Sequence, residues 1–134
     1  MLPIAATHGL RIFTMNMRDY RDSSPYTDEE LDAMSSPDIE VQASVVRGIG
    51  QDIANFMAYV CKTKGIPRLV RDGERKTGGV VLMTWSRSNI GLLSILGDPR
   101  TLEGETKDIL SLYVRKMVLY GTSRNSATRS SHHI

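Results

Sequence analysis

The sequence holds a single cysteine, Cys61, in 134 residues, so no internal disulfide braces it and the cytoplasm is the expected compartment. Aromatic residues are sparse, at 6%, and 17 Lys and Arg nearly cancel 15 Asp and Glu. The resulting net charge of +2 gives no electrostatic case for a nucleic-acid or membrane partner. No apolar run approaches the roughly 20 residues of a membrane-spanning helix. Val80–Met83 is short, and Ile90–Leu96 is broken by Gly91 and Ser94. The opening Met1 to His8 has neither the basic start nor the apolar length of a secretory signal. No His, Cys and carboxylate spacing marks a metal site, so neither metal nor cofactor is expected. What remains, 40% hydrophobic and 24% charged, is the composition of one globular domain with a packed core.

Leu10–Met15 reads as a strand by its β-branched and aromatic content, and a polar, turn-rich loop follows at Arg18–Pro25. Thr27-Asp28-Glu29-Glu30 matches a capping box and predicts a short helix ending before Pro37. Ser36-Pro37-Asp38 offers a cap hydroxyl, a proline for the first helical position and an acid at the positive dipole end. Beyond it Val41, Val45, Ile49, Ile53, Phe56, Met57 and Val60 recur at steps of three and four. That spacing predicts a long amphipathic helix stopping between Lys62 and Pro67. Arg68–Gly78 reads as a loop, and Gly79–Met83 as a strand buried on both faces. Ser88–Leu96 and Leu102–Tyr113 are helix-compatible, and Met117–Tyr120 is a third strand-like run. Alternation of this kind predicts an α/β class: about three parallel strands flanked by helices on both faces, over residues 1–120. Residues 121–134 are nearly free of apolar side chains and are expected to be a disordered polar tail.

Several motifs are too incomplete to carry chemistry. Gly48-Ile49-Gly50 starts like a dinucleotide fingerprint but lacks the third glycine and lies inside the predicted helix. Lys76-Thr77 lacks the glycines of a phosphate loop and precedes a strand. The basic stretch from Lys62 to Lys76 is interrupted by Asp72 and Glu74 and has no aromatic residue for base stacking, so it reads as a solvated loop. Cys61, near a helix C-terminus, reads as a structural cysteine.

Val80-Val81-Leu82-Met83-Thr84-Trp85-Ser86-Arg87-Ser88-Asn89 differs from these: a strand, a serine and a helix with almost no loop between. This is the layout of a nucleophile elbow, in which the serine hydroxyl stands above the sheet and the next amide faces an oxyanion. Thr84 and Ser88 occupy the glycine positions of G-x-S-x-G. Upstream, Asn16-Met17-Arg18-Asp19-Tyr20-Arg21-Asp22-Ser23 parallels a loop of the form D-x-R-G-x-G-x-S, keeping the arginine, an aromatic and the serine. With these two stretches and the order of elements between them, residues of roughly 10 to 120 resemble the α/β-hydrolase family. The same residues also read more simply, because Ser86, Ser88 and Asn89 are all ordinary helix-capping types.

The resemblance implies a partial α/β-hydrolase core in which Ser86 is the nucleophile, the Arg87 amide is one oxyanion donor and Trp85 lines the elbow. The ancestral activity it implies is that of a serine hydrolase on an ester or similar acyl bond of a small molecule. It supplies no acid, no general-base histidine and no first oxyanion loop in the family's places. His8-Gly9 directly precedes the first predicted strand, and His132 and His133 lie in the polar tail. The chain is therefore expected to be truncated, inactive by itself, and prone to self-association through exposed sheet edges. The alternative expectation is a non-catalytic interaction or residual-fold protein.

Overall fold

A computed structural model describes residues 2–121. In chain order it contains α1 (Leu2–Thr7), α2 (Asp28–Met34), α3 (Ile39–Thr63), β1 (Val70–Asp72), β2 (Arg75–Thr77), β3 (Val80–Trp85), α4 (Asn89–Gly97), α5 (Gly104–Tyr113) and β4 (Val114–Tyr120). Short 3-10 turns stand at Ser86–Ser88 and Pro99–Thr101. The expected disordered tail lies, from residue 122 onward, outside the described residues.

The capping box forms as the sequence predicts. Thr27 Oγ1 accepts from the Glu30 amide at 3.2 Å, and Glu30 Oε2 accepts from the Thr27 amide at 2.8 Å, which opens α2. The cap of α3 is Asp38, not Ser36: Asp38 Oδ1 accepts from the Glu40 amide at 2.8 Å, and Ser36 Oγ accepts from the Asp38 amide. A carboxylate meets the free amides and the positive end of the helix more strongly than a hydroxyl, so the start moves to Ile39. The apolar stripe of α3 is buried along its C-terminal half, at Ile53, Met57 and Val60.

Arg68–Gly78, read from sequence as loop, contains the antiparallel hairpin β1–β2, its turn at Gly73, which has φ of 55°. The two-residue loop is Gly73-Glu74, and a glycine at its first position is a hairpin signal that the high polarity of the flanking residues obscures. All six β1 and β2 residues are exposed.

Of the three parallel strands predicted, two pair: β3 with β4, in register from Val81↔Lys116 to Trp85↔Tyr120. Leu10–Met15 is instead unpaired chain. Arg11 donates to the carbonyl of Lys64, Met15 and Met17 pack on the core, and Leu10 and Ile12 remain exposed. Strand propensity is realised only against a partner edge, and among the described residues this segment has none.

The core joins Ile53, Ala54 and Met57 of α3 to Leu110 of α5, and Val80 and Leu82 pack on it from β3. Helices thus cover one face of the parallel sheet, where two covered faces were expected. On the opposite face Val81, Met83 and Trp85 are 54%, 60% and 69% exposed. The continuous apolar run of β3 therefore alternates inward and outward like any half-buried strand. Between α3 and α4 contact is close: a Cβ on Gly50 would lie 3.0 Å from the Gly91 carbonyl oxygen, and one on Gly91 would lie 2.6 Å from Ile53 Cδ1.

Candidate active site

β3 delivers the chain to Ser86 in extended form, with Trp85 at φ −127° and ψ 136°. At Ser86 the backbone turns to φ 54°, then passes through a single 3-10 turn into α4. Among the described residues only three non-glycines have positive φ: Asp19 and Asp22, both at 64°, and Ser86. All three fall in the two stretches that carry the resemblance, and Asp19 stands where the family pattern has a glycine. Aspartate tolerates the left-handed region through local hydrogen bonding, whereas serine between a strand and a helix is held there by its surroundings.

Ser86 and Arg87 are exposed. Ser86 is not a helix cap. Trp85 is the residue capping the 3-10 turn and Ser88 the one capping α4, and neither makes a side-chain cap bond. Arg87 lies in the 3-10 turn that leads into the N-terminal end of α4. Trp85 stands at the edge of the elbow, its indole against Gly121, which has φ 66° and no room for a Cβ on that side.

Beneath the turn lies a polar group that the sequence does not announce. Thr84 Oγ1 donates to Asn89 Oδ1 at 2.7 Å, and Asn89 Nδ2 donates to the Tyr120 carbonyl at 3.1 Å. Thr84 and Asn89 are 6% and 4% exposed. In the sequence Thr84 stands as a lost glycine and Asn89 as a cap. The available signal is their five-residue separation across the turn, with both side chains polar on the inward face.

The loop that parallels D-x-R-G-x-G-x-S borders a cleft of about 320 Å³ between α2 and α3, lined by Arg18, Tyr26, Glu30, Ser44 and Asp52 among others. Arg18 Nη2 donates to Glu30 Oε2 at 2.7 Å and to the Pro25 carbonyl at 2.8 Å, and its guanidinium lies 4.5 Å from the Tyr26 ring centre. The hydrogen bond from Arg18 holds the Glu30 carboxyl below its ordinary range. Burial raises the Asp52 carboxyl, against the pull of Arg18. Burial also raises the Tyr26 phenol, opposed chiefly by the charge of Arg18.

His8 lies in the exposed turn after α1, and no side-chain hydrogen bond joins it to Ser86. His132 and His133 are outside the described residues. Cys61 is buried, which raises its thiol. Gly48 and Gly50 lie within α3, and Lys76-Thr77 within β2. Among the described residues no three His, Cys, Asp or Glu side chains gather as a metal site, and no helix is long and apolar enough to cross a membrane. No family model matches the chain, and neither curated proteins nor solved structures give a match.

Proposed function

We propose that the chain carries a nucleophile elbow of the α/β-hydrolase kind, with Ser86 as nucleophile for an ester or similar acyl bond and the Arg87 amide as one oxyanion donor. The observation that carries this reading is the φ of 54° at Ser86, between the end of a parallel strand and the start of a helix. A strained, exposed serine at that junction is what nucleophilic acyl chemistry uses. Ser86 Oγ would attack the acyl carbon, its proton passing to a base, and the alcohol would leave to give an acyl-serine that water then hydrolyses. Because the base has no counterpart beside Ser86 among the described residues, this reading takes it from another chain for turnover, while the chain alone reacts once, at Ser86, with activated reagents whose leaving group needs no proton. The lone buried Cys61 suits the cytoplasm as compartment.

Treating the purified chain with an activated short-chain ester tests the reading. A single acyl adduct, mapped to Ser86 and absent from Ser86→Ala, is expected. A folded chain that acylates equally in both forms counts against it.

A second reading, a non-catalytic interaction protein, has its own observation in the bare sheet face of Val81, Met83, Trp85 and Tyr120. Exposed apolar patches of this kind mark interaction surfaces, and a two-stranded sheet uncovered on one side favours self-association. Sedimentation of wild type beside Met83→Glu decides it: loss of association in the variant supports the surface, and a monomeric wild type at all concentrations removes it.

A further inference from the structure

We propose that Asn89 is the positioning residue of the elbow, clamping the Ser86 turn to the end of β4 through Thr84 on one side and the Tyr120 carbonyl on the other. The inference rests on the reading of Ser86 as a nucleophile and adds the device that holds it. A carboxamide suits this place because one side chain offers both an acceptor and a donor. Oδ1 accepts from the Thr84 hydroxyl, and Nδ2 donates to the carbonyl that ends β4. Both side chains are buried, where an unmatched donor or acceptor costs far more than one facing water.

The turn is gripped twice. On the inner face the Thr84–Asn89–Tyr120 chain ties residues five and 31 apart in sequence. On the outer face the Trp85 indole lies against Gly121, where a side chain would collide with the ring. Ser86 sits between these grips in a conformation that a free chain leaves, and such conformations persist only where the surroundings over-determine them. Asn89 acts on Ser86 through the backbone turn and touches no reacting atom.

The test measures two things on the full chain: the rate of Ser86 labelling by a fluorophosphonate, and amide hydrogen exchange across Ser86–Ile90. Asn89→Asp keeps the acceptor but turns an oxygen toward the Tyr120 carbonyl, and Thr84→Val keeps the shape but removes the donor. Thr84→Ser restores the hydroxyl. Labelling of the folded protein is expected to slow about tenfold or more in Asn89→Asp and Thr84→Val, and to stay within about twofold in Thr84→Ser. Exchange at Ser86–Ile90 is expected to quicken in the first two alone. Lower melting with unchanged labelling would make the network merely structural and overturn the proposal. If wild type itself does not label, the nucleophile reading fails separately and exchange decides the clamp: local loss of protection restored by Thr84→Ser supports it, and unchanged protection overturns it. Should Asn89→Asp not fold, the Thr84→Val and Thr84→Ser pair decides the matter by the same two readouts.

Discussion

Replacing Ser86 by glycine separates the backbone of the elbow from its chemistry. At φ 54° the serine is in the left-handed region, where crowding between an L-residue's Cβ and the following carbonyl costs roughly 1–2 kcal/mol and glycine avoids it. Glycine in return loses more chain entropy on folding, roughly 0.5–1 kcal/mol relative to alanine. The Ser86 side chain is exposed, so removing it opens no cavity. The balance makes Ser86→Gly more stable than wild type by about 0.5–1 kcal/mol. For a chain of this size that raises Tm by about 2–6 °C. Ser86→Ala loses the hydroxyl but keeps the Cβ, so its stability stays within about 0.5 kcal/mol of wild type. Thermal melts by circular dichroism, with a guanidinium titration of each protein, measure both. A Ser86→Gly protein that melts below Ser86→Ala would refute this reasoning, because it would mean that Ser86 is not held at positive φ.

Gly91→Ala places a methyl 2.6 Å from Ile53 Cδ1 and 2.9 Å from Ile49 Cγ2, so urea titration should show a loss of about 1–3 kcal/mol. Gly48→Ala, on the exposed side of α3 beside the Arg18 cleft and with nothing within 4 Å of its Cβ, should gain about 0.5–1 kcal/mol from lower unfolded-state entropy. The two carboxyls of the Arg18 cleft should respond to pH with opposite signs. Glu30 is held below its ordinary 4.5 by Arg18, so it stabilises the fold above that pH and the contribution is lost as pH falls through its lower folded value. Glu30→Gln should therefore melt below wild type at pH 7, with the gap narrowing in acid. Asp52 is raised above 3.8 by burial, so its ionised form costs stability at neutral pH. Asp52→Asn should melt above wild type at pH 7, and melts taken down to pH 3 should show that gap closing; a constant gap for either variant contradicts the assignment.

The helices α2 to α5 were legible because their determinants are local, whereas α1, too short to show a helical period, was not. Thr27 and Glu30 satisfy each other within one turn, and the stripe from Val41 to Val60 repeats with the helical period whatever it packs against. The strands were less so. Leu10–Met15 has the composition of a strand, but pairing is a property of two segments, and β3 finds β4 while this segment finds no edge. The run Val80–Trp85 does not reveal that one of its faces lies bare, because an apolar residue reads alike in a core and on an uncovered sheet. At the elbow the order strand, serine, helix was visible in the letters, as was Ser86 itself. The bond from Asn89 to the Tyr120 carbonyl was not, since a backbone acceptor 31 residues away has no sequence signature.

The most direct measurement is intact mass of the folded chain after fluorophosphonate treatment, with peptide mapping and Ser86→Ala run alongside. One adduct per chain is expected, on Ser86, lost in the alanine variant while the melt is unchanged. A folded wild-type chain that takes no adduct, or takes it at another serine, would contradict the assignment of Ser86 as nucleophile.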